Sequence, residues 1–330
     1  MQTVTKPSTK REVKPSSGLV KVKTFLANNG ALVGLVILAI VLSLASPVFL
    51  SVNNITQIGV QTAVTAILAF GMTFVIVAAG IDLSVGSMLA LSAMVGAYAF
   101  TVMGVPSWLA LLVGLLAGIM CGAVNGIGNA FFRLPSFIAT LAMLSIARGL
   151  TLVISQGKPI PTSPAVNLLG GSLGPIPVPI IVFALSGIVA ALILNRTAMG
   201  RAMYAVGGNI EAARLSGIPV KKVQVTVFAL CGLYAGVAGM VMAGRLNSAG
   251  AQAGVGYELD AIAAVVIGGA SLAGGSGKVS GTLVGALLLA VIRNGLNIMN
   301  VPSFWQQVVI GLVIAIAVGI DALKNKESAH

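Results

Sequence analysis

Long uncharged apolar runs are the feature that most constrains this chain. Runs of about 20 residues, each long enough to cross about 30 Å of hydrocarbon, lie near residues 31–50, 57–80, 84–103, 107–130, 136–155, 178–195, 223–245, 258–273, 279–299 and 304–322. The composition agrees, because 57% of the residues are hydrophobic, 8% are charged and the mean hydropathy is +1.04. We therefore predict an all-α fold, a polytopic transmembrane helix bundle of about ten spans.

Two segments depart from this pattern. The run near 258–273 is short and interrupted by glycines, which predicts a broken or re-entrant helix and would change the number of crossings by one or two. The loop 156–179 contains PIPTSP and GPIPVP, and so many prolines favour extended or turn structure over a continuous helix. This loop either faces a partner outside the membrane or simply connects two spans.

Basic residues are distributed unevenly around the apolar runs. A cytoplasmic N-terminus places all 19 Lys and Arg on the inner side except Arg148, Lys158, Arg245 and Arg293, as the positive-inside rule favours. We therefore expect both termini in the cytoplasm. The expected organisation is a flexible basic tail over 1–28, a transmembrane domain over 29–323 and a cytoplasmic tail over 324–330. An uncleaved anchor is favoured over a signal peptide, whose leader would be unusually long.

Several functions are disfavoured by the composition. The formal net charge of +12 arises from basic residues at the ends of spans, so no nucleic-acid partner is expected. The single histidine is His330, which removes histidine metal sites and Ser-His-Asp triads. Cys121 and Cys231 lie in apolar runs and are expected to pack as small hydrophobes. We expect no catalytic residue and no bound metal.

Glycines spaced four residues apart predict close helix packing. They form three sets: Gly114, Gly118, Gly122 and Gly126; Gly232 and Gly236; and Gly281 and Gly285. Each set makes a smooth stripe that lets another backbone approach closely, within one bundle more often than between chains. The stripes therefore favour a compact bundle and permit a dimer. No tandem repeat is evident.

The stretch 207–222, GGNIEAARLSGIPVKK, is a polar island between apolar runs. It has the signals of one short helix: a break at Gly207 and Gly208, a cap at Asn209, an acid in the first turn at Glu211 and a stop at Gly217 and Pro219. A helix of about two turns is marginal in water alone, so the bilayer edge or a partner should hold it. We interpret it as a docking surface, with a plain linker helix as the alternative.

Two acidic blocks stand beside apolar runs. Asp82, Ser84 and Gly86 belong to GIDLSVGS, and Glu258 and Asp260 belong to GYELD. An acid at this depth is costly unless it is paired or capped. We expect Asp82 to accept hydrogen bonds from the amides that open the next helix, with direct substrate or ion contact as the alternative. Glu258 and Asp260 are expected to cap their helix similarly.

Three motifs in fixed order carry a family resemblance: GIDLSVGS, EAARLSGI, and GYELDAIAAVVIGGASLAGGSGKVSGTLVGALL. The second resembles the EAA coupling motif of permease subunits of ATP-binding cassette importers. Together, over about residues 30–322, the motifs resemble the monosaccharide permeases of such importers. The resemblance implies ribose as the first candidate, with xylose, galactose, arabinose or a furanose signal molecule as alternatives.

The same resemblance implies an assembly in the bacterial inner membrane. Its members would be two copies of this chain, an ATPase inside and a periplasmic sugar-binding protein outside. The helix that receives the movement of the ATPase would contain Glu211, Ala212, Ala213, Arg214 and Gly217, within a coupling segment near 209–218.

Nucleotide binding by this chain itself is not expected. The run GGSGK at 274–278 superficially resembles a phosphate loop, but Leu272 stands where glycine is required and Val279 where Ser or Thr would hold magnesium. The run GIG at 126–128 lacks its third glycine, because Phe131 occupies that place. No cofactor is therefore expected on this chain, and ATP and magnesium would bind to the partner ATPase.

A sugar pathway needs exchangeable hydrogen bonds along one route. Candidates at helical spacing are Gln57, Gln61, Thr65, Asn125, Asn129, Asn294 and Asn297, with Trp305 or Phe304 as a stacking surface. Each polar residue is alternatively a bond between helices, and Trp305 an interfacial anchor.

Two other functional classes are alternatives. A secondary transporter or channel would use Asp82, Glu258 or Asp260 as proton or cation sites, but all three are predicted at the ends of spans rather than midway. A membrane scaffold without transport would not need polar stripes.

Overall fold

The computed structural model describes the backbone of residues 30–327 and the side chains of residues 30–316. These residues are helical almost throughout, which confirms the predicted all-α bundle. The helices are Gly30–Ala45 (α1), Val52–Val77 (α2), Val85–Thr101 (α3), Ser107–Phe132 (α4), Ser136–Ser155 (α5), Pro164–Gly170 (α6), Val178–Arg196 (α7), Ala198–Gly208 (α8), Ile210–Leu215 (α9), Val220–Leu246 (α10), Tyr257–Ile267 (α11), Val279–Ile298 (α12) and Ser303–Glu327 (α13).

Short strands occur only in connecting segments of the described chain. Ile160–Pro161 (β1) pairs antiparallel with Ser248–Ala249 (β4), and Ser172–Leu173 (β2) pairs with Ile176–Pro177 (β3). The loop 156–179 has no continuous helix, as predicted, and consists of turns and short strands around α6, which Ser163 caps by accepting a hydrogen bond from the Val166 amide.

The predicted terminal tails lie partly outside the described residues. The basic tail 1–28 and residues 328–330 are outside them. Residues 324–327, which were assigned to the second tail, continue α13.

The helices have the lengths and composition of a polytopic membrane protein. Six of the described helices are long and apolar enough to span a membrane: α2, α4, α5, α7, α10 and α12. Three further apolar helices are shorter: α1, α3 and the Ser303–Ile316 part of α13. Large apolar side chains face outwards, among them Leu44 at 85% exposure and Val153 at 74%, as expected of a surface that meets lipid.

Prolines mark the start of four of these helices. Pro106, Pro135, Pro177 and Pro219 directly precede α4, α5, α7 and α10. Proline is tolerated where a helix begins, because an amide there would have no partner within the helix.

Two sets of helices, α2–α5 and α10–α13, pack in corresponding ways. In each set a long helix is followed by a non-helical segment, a short helix and two further helices. In this comparison α2 corresponds to α10, α3 to α11 and α4 to α12. The first set packs α3 and α4 on α10, and the second set packs α11 and α12 on α2. The sequence shows no evident repeat, so the correspondence is visible only in the packing.

The glycine stripes on α4 and α10 lie at the contacts between these two sets. A Cβ on Gly118 would be 2.5 Å from the Gly232 oxygen, and one on Gly122 would be 2.1 Å from the Phe228 oxygen. Backbones that approach this closely leave no room for a side chain. The stripes therefore hold α4 against α10 within one chain.

Candidate transport cavity and coupling surface

The segment before α11 descends into the bundle. It follows α10 over residues 247–256 and turns at Gly254 and Gly256, which have φ of +71° and +83°. Arg148 on α5 donates hydrogen bonds to the carbonyl oxygens of Ala251 and Ala253, the second at 2.9 Å. A guanidinium that bonds two carbonyls fixes the direction of this segment.

Helix α11 consequently starts inside the bundle. Its 11 residues extend about 16 Å, too short to cross about 30 Å of hydrocarbon. It packs antiparallel to α12, because a Cβ on Gly281 would lie 2.1 Å from the Gly268 oxygen and one on Gly285 would lie 2.0 Å from the Ala264 oxygen. Asp260 lies one helical turn before Ala264 in α11, which places it level with the middle of α12.

The expectation that Glu258 and Asp260 stand at the end of a span is therefore wrong. The run near 258–273 was taken to start at the membrane surface, whereas its first turn lies midway along α12. Glu258 accepts a hydrogen bond from the Gly256 amide at 3.3 Å, close to the expected capping role. Asp260 does not cap the helix but forms an ion pair with Arg293 of α12 at 2.6 Å.

A cavity of about 240 Å³ opens beside this ion pair. Its polar lining consists of Gln61, Thr65, Arg245, Tyr257, Asp260, Arg293, Asn297 and Gln306, and its apolar lining of Ala286, Leu289 and Ala290. Three predicted pathway residues, Gln61, Thr65 and Asn297, are thus brought together. Sequence reasoning missed Arg293, although an arginine inside an apolar run is itself a signal of function.

The other predicted pathway residues lie elsewhere. Gln57 is exposed on α2, and Trp305 is 59% exposed on α13. Asn294 is buried and exchanges two side-chain hydrogen bonds with Asn54, at 2.8 and 3.0 Å. That pair joins α12 to α2, which is the alternative role of a bond between helices.

The segment before α3 holds its acid in a buried hydrogen-bond network that leaves one carboxylate oxygen, Oδ2 of Asp82, without a hydrogen-bond partner among the described residues. Asp82 is fully buried, and its Oδ1 accepts hydrogen bonds from the Ser84 amide at 2.9 Å and the Ser84 hydroxyl at 2.5 Å. Asn125 of α4 donates to the same hydroxyl at 2.9 Å. The amide that opens α3 therefore bonds to Asp82 as expected, and Asn125 lies in this network rather than at the cavity.

The first turn of α3 meets the segment before α11 at Gly86. A Cβ there would lie 2.2 Å from the Gly254 oxygen and 2.4 Å from Glu258 Oε2. Only glycine fits at this contact, so the starts of α3 and α11 touch inside the bundle.

Helix α9 forms the predicted short helix of the polar island. The Asn209 side chain accepts hydrogen bonds from the amides of Glu211 and Ala212, at 3.1 and 2.9 Å, and Gly217 follows the helix with φ of +78°. The predicted break at Gly207 and Gly208 is one residue early, because α8 includes both and ends there.

The exposed side of α9 has mixed chemistry. Glu211 and Arg214 form an ion pair at 3.2 Å and are both mostly exposed, whereas Ala213 is buried against the bundle. Leu215 is 88% exposed, and large apolar side chains at such positions indicate contact surfaces when they belong to a patch.

A groove lies beside α9. Its lining includes four basic residues, Arg133, Arg214, Lys221 and Lys222, and the exposed ring of Phe131. The Lys221 ammonium lies 4.8 Å from the centre of that ring. Helix α9 and this groove, here called the coupling surface, suit a protein partner with acidic and apolar groups.

A helical membrane bundle with a polar cavity and a short exposed helix has the features expected of a membrane transport subunit. The sequence pattern described as "Branched-chain amino acid transport system / permease component" matches residues 54–318. The chain belongs to this permease family.

Relatives within the family have names that refer to sugars. The chain is 44% identical to the ribose import permease protein RbsC of Escherichia coli K12, over 92% of this chain and 96% of that protein. It is 45% identical to the RbsC protein of Bacillus subtilis, over 90% and 93%. It is 36% identical to the xylose transport system permease protein XylH of Escherichia coli K12, over 85% and 87%.

Proposed function

We propose that this chain is the permease subunit of an ATP-binding cassette importer and forms the pathway for a monosaccharide, with ribose first among the candidates. The carrying observation is the polar cavity midway along α12, in a chain that belongs to a permease family. The chain performs no covalent chemistry. A partner ATPase binds ATP and magnesium inside, and a periplasmic binding protein delivers the sugar to a dimer whose termini are cytoplasmic.

The residues that line the cavity favour a sugar over a branched-chain amino acid as the transported substrate. Gln61, Asn297 and Gln306 offer neutral amide donors and acceptors that exchange readily with sugar hydroxyls. Xylose, galactose, arabinose and a furanose signal molecule use the same chemistry and stay as alternatives.

The coupling surface supports the proposal that a partner ATPase supplies the energy for transport. Rigid-body movement of a docked ATPase would displace α9 and switch the cavity between outward and inward access. The exposed Leu215 and the basic groove offer the contacts for such docking.

An ion-coupled secondary transporter is the second candidate. Glu258 and Asp260 lie inside the bundle, where a proton or cation site would be placed. Against this reading, Asp260 already has Arg293 as its counter-ion.

Uptake of labelled ribose by proteoliposomes containing the chain, its ATPase and its binding protein tests the function. Uptake should require ATP inside and persist without a proton gradient. Unlabelled xylose, galactose, arabinose and leucine serve as competitors to identify the substrate. Uptake that survives ATP depletion and collapses with the proton gradient would establish the secondary transporter instead.

The coupling role of α9 is tested by Glu211→Lys and Gly217→Pro. The first reverses an exposed charge, and the second cannot keep φ at +78° because proline fixes φ near −65°. Both should abolish uptake while the protein still inserts. Arg196→Glu, a charge reversal at an exposed residue that ends α7 outside the coupling surface, is the control and should transport normally. Normal uptake by either α9 variant contradicts the assignment.

A further inference from the structure

Three backbone segments meet directly behind α9. They are the end of α2 at Val77, the end of α8 at Gly207, and the loop between α11 and α12 at Gly275. The Gly275 amide donates a hydrogen bond to the Val77 oxygen at 2.9 Å. A Cβ on Gly207 would lie 1.8 Å from that oxygen and 2.7 Å from the Gly275 nitrogen. We call this contact the glycine junction.

The loop is shaped to make this contact. Gly274 and Gly275 have φ of +90° and +72°, a conformation that L side chains rarely adopt. A Cβ on Gly274 would lie 2.8 Å from the Gly207 oxygen, and one on Gly275 would lie 2.9 Å from Cα of Gly208. The glycines that superficially resemble a phosphate loop therefore serve backbone packing.

Side chains reinforce the junction on both sides. The Tyr204 hydroxyl on α8 donates to the Gly277 oxygen at 2.7 Å, and burial raises the pKa of this phenol, which keeps it protonated as a donor. One turn from the junction, the hydroxyls of Thr73 on α2 and Thr282 on α12 share a buried hydrogen bond of 2.8 Å.

The junction connects α9 to three of the five helices that line the cavity. Only Asn209 separates α8 from α9. Gln61 and Thr65 lie on α2, Asp260 on α11 and Arg293 on α12. Backbones in direct contact have no intervening side chain whose rotation would absorb a displacement, so a shift of α8 must move α2 and the loop with it.

We propose that the glycine junction is the link through which a displacement of α9 reaches the sugar cavity, with Gly207 and Tyr204 as positioning residues. This inference rests on the proposed function. A cavity of about 240 Å³ next to the junction, lined in part by Ala79, Gly207 and Asn209, leaves space for the movement.

Adjacent glycines provide a matched test. Gly207→Ala places a methyl group into the Val77 oxygen, whereas a Cβ on Gly208 has nothing within 4 Å. Both variants are reconstituted with the ATPase and binding protein, and the ratio of sugar taken up to ATP hydrolysed is measured. Gly207→Ala should keep at least half of the hydrolysis and lower the ratio at least tenfold. Gly208→Ala should stay within twofold of the unmodified protein in both.

Tyr204→Phe is the milder variant, because it keeps the ring and removes only the hydroxyl. It should lower the same ratio severalfold with unchanged protein level. If Gly207→Ala does not accumulate in the membrane, Tyr204→Phe decides alone, and an unchanged ratio overturns the link. An unchanged ratio in a well-assembled Gly207→Ala protein overturns it as well.

The failure of this inference differs from failure of the proposed function. If Glu211→Lys abolishes uptake while Gly207→Ala and Tyr204→Phe are normal, the importer stands and only the link falls. If the unmodified protein shows no ATP-driven uptake, the proposed function itself fails.

Discussion

The starts of α3 and α11 occupy corresponding places in the two sets of helices, yet the acids at these two places have different partners. Asp82 is enclosed, with hydrogen bonds from Ser84 and no contact with the cavity. Asp260 is paired with Arg293 and lines the cavity.

An acidic residue at the start of a short helix inside the bundle therefore has two different roles in this protein. Asp82 is held by hydrogen bonds from short side chains and a backbone amide, with no cation among its described partners. An ion pair of which Arg293 remains 33% exposed keeps polar surface available at the start of α11. The network at the start of α3 therefore serves packing, and we propose that the first turn of α11 contacts the transported sugar.

Breaking the ion pair should have the largest effect. Arg293→Leu leaves Asp260 buried without a counter-ion, which we expect to cost about 2–3 kcal/mol, below the range for fully buried pairs because Arg293 is partly exposed. Uptake should fall more than tenfold. Thermal unfolding in detergent and ribose uptake measure the two effects.

The double variant Asp260→Leu, Arg293→Leu is the control for this prediction. It should recover most of the lost stability, since no charge is left unpaired, but none of the uptake. Recovery of uptake would show that the pair is only structural, like the Asp82 network.

Opening the Asp82 network should have an intermediate effect, on stability alone. Asp82→Ala leaves the Ser84 amide and hydroxyl without their acceptor, at a cost of about 1–3 kcal/mol. Asp82→Asn keeps an acceptor oxygen and should cost less. Uptake per folded molecule should stay within twofold in both. A large loss of uptake without loss of stability would place Asp82 in the transport pathway. The starts of α3 and α11 would then no longer differ in role.

The smallest effect is expected from a pair of glutamines one turn apart on α2. Gln61 lines the cavity and Gln57 does not, so Gln61→Ala should reduce uptake severalfold while Gln57→Ala leaves it unchanged. Neither should alter the unfolding temperature by more than about 2 °C, as expected away from buried networks. Equal effects would mean that the cavity is not on the route.

The sequence predicted those parts that depend on local signals. Apolar runs predicted the six described helices that are long enough to span a membrane, Asn209 marked where α9 begins, and the spacing of Gly118 and Gly122 predicted close packing. Prediction from the sequence failed for contacts between segments that are distant in the chain. Trp305 shares the chemistry of a sugar-stacking residue but faces outwards, and Asn125 bonds to Ser84, because neither helical spacing nor residue type reveals which neighbour a helix face meets.

By itself the sequence determined that this chain is a helical membrane bundle with a short polar helix, because span length, charge bias and capping act over a few neighbouring residues. Only the tertiary structure decided that α11 begins inside the bundle, that Asp260 meets Arg293 and that Gly207 and Gly275 touch. Those contacts join residues far apart in the chain, and their geometry follows from how whole helices pack rather than from any local pattern.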